Sequence, residues 1–262
     1  MTRLVRTELL KLATMRLTYG LLAVAAVLSA LFSLLENNEA GTAGSGVPPI
    51  STADGLRTVT TVTGFAMLFA AVLGSIVANG EFRHSTATLT YLATPKRTRV
   101  LLAKVIASSC AGSLFGLVAG IIATGTGLAF AAGHGDQVAL SAGTLAGHVA
   151  GAVAGAALLA AFGVAIGSLV RSQLATVIGI FVWAIIIESL IGGLYPSTRP
   201  YLPYTAATAL AGAKLGGAAF GPAHGLNGAG PLPFVAGAAL IAAFAAAAAL
   251  IAARTTVRRD IT

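Results

Sequence analysis

One interior stretch of this sequence gathers seven Glu, Arg, His and Lys side chains. Gly80–Lys104 reads GEFRHSTATLTYLATPKRTRVLLAK and holds Glu81, Arg83, His84, Lys96, Arg97, Arg99 and Lys104, in a chain whose charged fraction is only 9%. Isolated basic residues beside an apolar run usually do no more than orient it in a membrane. Here they bracket a Thr-rich segment, Ser85-Thr86-Ala87-Thr88-Leu89-Thr90-Tyr91-Leu92, expected to form a short surface helix that ends at Pro95. The stretch reads as a docking element as well as a topology signal.

Catalytic chemistry has little to work with elsewhere. No lysine follows a glycine, so the phosphate-cradling loop that ends Gly-Lys-Ser/Thr is absent. His84, His134, His148 and His224 are scattered over different segments, with no His/carboxylate cluster at metal-ligand spacing. Cys110 is the single cysteine, which excludes an intrachain disulfide. Energy for any work must then come from a gradient or a partner. Gradient-driven carriers use ionisable groups near the bilayer midplane. The clearest candidate is Glu188, which lies about two turns from the end of its apolar run, shallow for a proton relay. Two readings of it stay open: it lines a substrate path, or it faces the interior and hydrogen-bonds a neighbouring helix.

The elements that position these residues are membrane spans. The chain is 56% hydrophobic with 32 glycines, and too poorly charged to solvate a soluble domain of 262 residues. Runs of roughly 20 apolar residues cross a bilayer. Six are expected, at about 17–35, 58–79, 100–132, 142–170, 174–194 and 234–253, giving an all-α polytopic fold in a single transmembrane domain. Residues 1–16 carry Arg3, Arg6, Lys11 and Arg16 against a lone Glu8, with Val5, Leu9 and Leu12 at helical spacing, as in a helix lying in the interface. Glu36–Leu56 is expected as an irregular outer loop, and Tyr195–Pro233 as a Pro- and Gly-rich outer segment. No cleavable signal peptide is expected, because the first apolar run ends Leu34-Leu35-Glu36-Asn37.

Charge then orients the chain. With the N-terminus inside, thirteen of the sixteen basic residues fall on inner segments, and only Arg57, Arg199 and Lys214 fall outside. Both termini are therefore expected in the cytoplasm. The net charge of +8 does not point to nucleic acid, since the basic residues flank spans and form no separate basic domain. Glycines recur in Gly112-x3-Gly116-x3-Gly120 and Gly147-x3-Gly151-x3-Gly155, a spacing that suits close helix packing between spans or across a dimer.

With these features in place, the sequence resembles the permease subunit of type-2 ABC transporters, in the bacterial drug- and peptide-antibiotic-efflux branch. The likeness is carried by Glu8-Leu9-Leu10-Lys11 and above all by Gly80-Glu81-Phe82-Arg83-His84-Ser85-Thr86. Leu92, Pro95, Arg97 and Ala103-Lys104 extend it, and Trp183…Glu188…Leu202-Pro203 adds a further trace. The resemblance implies six spans, an N-terminal elbow helix and a coupling helix between spans two and three. Short outer helices between spans five and six are also implied, where Tyr204–Phe220 would fit. It implies a multi-pass protein of the bacterial cell membrane and a partner ATPase subunit that binds ATP and Mg, with no cofactor on this chain. A second permease copy or a sister subunit completes the assembly among membrane lipids, without nucleic acid. Glu81, Phe82, Arg83, His84, Thr86 and Arg97 would then dock the ATPase, with charge-assisted hydrogen bonds from Glu81 and Arg83. Glu188 would lie on the possible substrate path. The competing readings are an ATPase-independent transporter or channel, and a membrane scaffold that transports nothing.

Overall fold

The computed structural model describes residues 1–83, 97–170, 172–213 and 232–254, and among these it contains no strand. The protein is an all-α polytopic membrane protein with six helices long and apolar enough to cross a bilayer. In order, α1 is Thr2–Thr14, α2 Arg16–Glu39, α3 Ala53–Thr60, α4 Gly64–Arg83, α5 Arg97–Gly133 and α6 Ala142–Leu169. Helix α7, Gln173–Leu194, is α-helical except for a π-helical stretch at Val182–Ile187. A 3-10 turn at Pro196–Tyr201 leads into α8, Pro203–Leu210, and α9 is Phe234–Arg254.

Local chemistry sets several of these boundaries. Thr52, Ser141 and Ser172 each accept a hydrogen bond from the backbone N–H three residues on, capping α3, α6 and α7. The segment expected as an irregular outer loop, Glu36–Leu56, in fact begins with the last turn of α2 and ends in α3. The buried Asn37 amide donates to the Ser33 carbonyl and prolongs α2, and the Thr52 cap with Asp54 in the first turn starts α3 early. The turn between them is made by Gly41, Gly44 and Gly46, all at positive φ.

Helix α6 is the centre of the bundle, and its glycines are the reason. An added Cβ at Gly163 would strike the carbonyl of Ala71 on α4, and one at Gly151 would strike the carbonyl of Leu210 on α8. On α5, Gly112 and Gly116 press against the Ala156 and Ala152 backbone of α6 in the same way. Glycine faces let helix backbones meet with no side chain between them. The first repeat is thus engaged between two spans, while in the second Gly151 and Gly155 seat the short helix α8 and Gly147 meets nothing within 4 Å. Around α6 the core is built from Met67, Leu68 and Leu73 of α4, Phe115 of α5, Leu159 of α6 and Ile241 of α9.

Two smaller clusters define the ends. Ala78, Leu101 and Val164, with Ala249 and Ala253 against them, gather the end of α4, the start of α5 and the ends of α6 and α9. Leu56, Val59 and Ala131 gather α3 and the end of α5 at the opposite end. The first is the basic end of the bundle and the second its far end. Helix α5 has 37 residues; at about 1.5 Å per residue it is far longer than the ~30 Å hydrocarbon layer. The outward faces of α2, α7 and α9 are apolar and exposed, with Val27, Leu174, Ile178, Leu190 and Val235 among the most open residues, as lipid contact requires.

Candidate functional site

At the basic end, α4 runs through Glu81, Phe82 and Arg83, which form its last residues, and α5 begins at Arg97. His84 and Thr86 lie outside the described residues. Arg99 is exposed on the first turn of α5. Lys104 behaves differently. Val100, Lys104, Ala107 and Ser108 share the buried face of α5, so the ammonium is turned inward. It lies 3.3 Å from the Glu8 carboxylate of α1 and donates to the Val77 carbonyl of α4 at 3.2 Å. The other Glu8 oxygen takes Lys11 at 2.7 Å. Lys104 and Glu8 are only 6% and 5% exposed. Buried charges persist only where partners replace water, and here two lysines and a backbone carbonyl do so. The lone acid of the basic N-terminal segment therefore holds α1 onto α5 and α4.

Two residues beyond Val77 along α4 is Asn79, fully buried. Its amide faces the carbonyls of Gly167 and Val170, which end α6, at 2.5 and 2.8 Å, and the Thr176 hydroxyl of α7 at 3.1 Å. Two carbonyls can be met only by the amide nitrogen, so the nitrogen donates to both and the oxygen accepts from Thr176. The Thr176 hydroxyl also lies 2.8 Å from the Ser172 carbonyl. Neither Asn79 nor the Glu8–Lys104 pair was singled out from the sequence as a contact. The available signals were a solitary acid among bases, and single polar residues placed at the ends of apolar runs.

Near the far end, Glu188 is 3% exposed and saturated with internal donors. One oxygen accepts from the Trp183 indole at 2.8 Å and the Tyr204 backbone N–H at 2.9 Å. The other accepts from the Thr205 N–H and hydroxyl, both at 2.9 Å. Tyr204 and Thr205 are in the first turn of α8, whose N-cap residue Leu202 offers no side-chain acceptor. Glu188 supplies the missing cap from another helix, and its negative charge suits a helix N-terminus. The π stretch makes the indole contact possible: residues five apart in an α-helix point about 140° away from each other, and the wider π turn brings Trp183 and Glu188 to one side. Burial, and then the neighbouring Glu188 charge, push the Tyr204 phenol well above the usual tyrosine range, so it remains a neutral hydroxyl. Of the two sequence readings of Glu188, the contact to a neighbouring helix is present in the structure.

Two further buried polar contacts join helices. His148 Nδ1 on α6 lies 3.0 Å from the Thr60 hydroxyl of α3, and Ser33 of α2 meets Thr126 of α5 at 2.5 Å. Among the described residues there is no group of three His, Cys, Asp or Glu side chains able to hold a metal ion. Cys110 is exposed on α5. No protein-family model matches this chain, and no curated protein sequence matches it either.

Proposed function

We propose that this chain is the membrane-spanning subunit of an ATP-driven ABC exporter, working as a dimer with a second permease and coupled to a separate ATPase subunit. The observation that carries the reading is the mounting of the basic stretch. A cytosolic motor can move spans only through an exposed segment rigidly attached to them. Helix α4 reaches Arg83 and α5 starts at Arg97, and just inside them the Glu8–Lys104–Val77 contact fastens both helices to α1. A push on the intervening residues is then delivered to three helices together. The positive-inside bias supports a cytoplasmic basic end in the bacterial cell membrane.

In this reading Glu81, Phe82, Arg83, His84, Thr86 and Arg97 dock the ATPase, and ATP and Mg are held by that partner. Glu188 lies beside the far mouth of the pathway. A cargo group would reach its carboxylate only by displacing one of four internal donors. The test is purification of the tagged full-length chain from its native membrane in mild detergent, with identification of stoichiometric partners and measurement of ATP hydrolysis. A co-purifying subunit bearing nucleotide-binding motifs, whose hydrolysis drives export after reconstitution, is expected. A homogeneous preparation with no such subunit would overturn the proposal in favour of an ATPase-independent carrier or a scaffold.

A further inference from the structure

We infer that Asn79 is a positioning residue that passes displacement of the α4 end into the turn between α6 and α7, so that movement at the basic end reaches the far mouth along α7. The inference rests on the permease reading and adds to it a route and a residue. Its basis is the set of partners Asn79 holds. The last carbonyls of a helix have no partner within it, and a left-handed glycine commonly closes such an end. Here the C-cap residue Val170 is extended instead, and the Asn79 amide, brought from α4, meets the Gly167 and Val170 carbonyls. The same side chain reaches the Thr176 hydroxyl on the first turn of α7. Only residues 170–172 separate α6 from α7, so one amide clasps both sides of the tightest connection between two spans.

Slack is absent on the α4 side as well. Gly163 and Gly167 let α6 lie directly on the α4 backbone at Ala71 and Ser75. The Val77 carbonyl, two residues before Asn79, is held by Lys104. Glu81, Phe82 and Arg83, three of the proposed docking residues, follow Asn79 within the last turn of the same helix. From Thr176, α7 continues without a break to Leu194 at the opposite end.

The test uses the full permease–ATPase complex in lipid nanodiscs, in a Cys110→Ser background with Tyr195→Cys as reporter, since Tyr195 is exposed just beyond α7. The probe is a membrane-impermeant maleimide, and its labelling rate is read with and without ATP plus orthovanadate. With Asn79 intact the rate is expected to change on adding nucleotide. In Asn79→Leu, and in Thr176→Val, which keeps the side-chain shape and removes the hydroxyl, the complex should still assemble and hydrolyse ATP while that change is lost. If Asn79→Leu does not fold, Thr176→Val decides. An undiminished nucleotide response in the folded variants overturns the inference and leaves the permease reading intact. Loss of ATPase binding in the variants also overturns it, because Asn79 would then shape the docking surface. A parent chain that recruits no ATPase overturns the permease reading itself, and the inference with it.

Discussion

Replacing Glu188 by glutamine changes little in shape and much in hydrogen bonding. The carboxylate receives four donors, two on each oxygen. A glutamine oxygen can serve one pair, and its amide nitrogen then points hydrogens at the other pair. Hydrogen bonds to charged groups contribute about 1.5–3 kcal/mol each, and lost charge at a helix N-terminus adds about 0.3–1 kcal/mol. Two lost contacts in one network do not add fully, so a destabilisation of about 3 kcal/mol is expected. Glu188→Ala should cost more, because all four buried donors lose their acceptor. The local readout is hydrogen exchange at the Tyr204 and Thr205 amides, which are protected by Glu188 alone in the first turn of α8. About 3 kcal/mol corresponds to roughly 100-fold faster exchange there, with a lower melting temperature in detergent. Transport per folded molecule should change little if Glu188 only braces α8. Unchanged exchange and melting in both variants would refute the capping argument. Faster exchange accompanied by abolished transport at full yield would instead place Glu188 on the substrate path.

Four other outcomes are expected. In a Cys110→Ser background, cysteine at Ser45 should react with an impermeant thiol reagent in intact cells and cysteine at Thr98 should not; labelling at Thr98 from outside would reverse the assigned orientation. Lys104→Met should destabilise the fold, but by less than the about 3–5 kcal/mol of a buried charge left with no partner, because Lys11 still faces Glu8, and Glu8→Leu in the same chain should recover part of the loss in a double-mutant cycle. Gly151→Ala should lower the melting temperature because its Cβ would strike the Leu210 carbonyl. Gly147→Ala, one turn away with nothing within 4 Å, should be neutral or stabilising by helix propensity, worth about 1 kcal/mol. Replacing Glu81 and Arg83 together with Ala should leave membrane insertion intact and weaken ATPase co-purification by an order of magnitude or more, from two contacts of roughly 1.5–3 kcal/mol each; wild-type binding would remove these residues from the docking surface.

The spans were legible because a bilayer demands long apolar runs and tolerates no others, and the sequence supplies six of them. Their ends were less legible. The break at 61–63 between α3 and α4 falls inside what reads as one apolar run, and the Thr52 cap that begins α3 lies in a Gly- and Pro-rich stretch. The glycine repeats announced close packing without naming a partner, because spacing fixes a face and not its neighbour. Lys104 shows the same limit. Its position beside other bases suggested an inner-surface charge, and only the arrangement of α1 and α4 around it turns it into half of a buried pair. The π stretch before Glu188 has no compositional mark, since Val182–Ile187 is as apolar as any other part of a span.

The two polar centres meet on one helix. Helix α7 is joined at its start to α4 and α6 through Thr176 and near its end to α8 through Glu188. Between those points it leans on the bundle mainly through apolar side chains, including the edge of Phe181 against Phe69 with ring centroids 5.9 Å apart. Apolar contacts resist sliding weakly because they have no direction, whereas hydrogen bonds fix position. The directional contacts of α7 with its neighbours are therefore concentrated at its two ends. The π turn lies in the far half of that span, immediately before Glu188. Its extra residue per turn is what points Glu188 at the indole and at α8. A return to α-helical winding would leave the carboxylate about 140° from the indole around the helix axis. A change of winding within α7 would thus move Glu188 relative to α8 without a large movement of the whole helix.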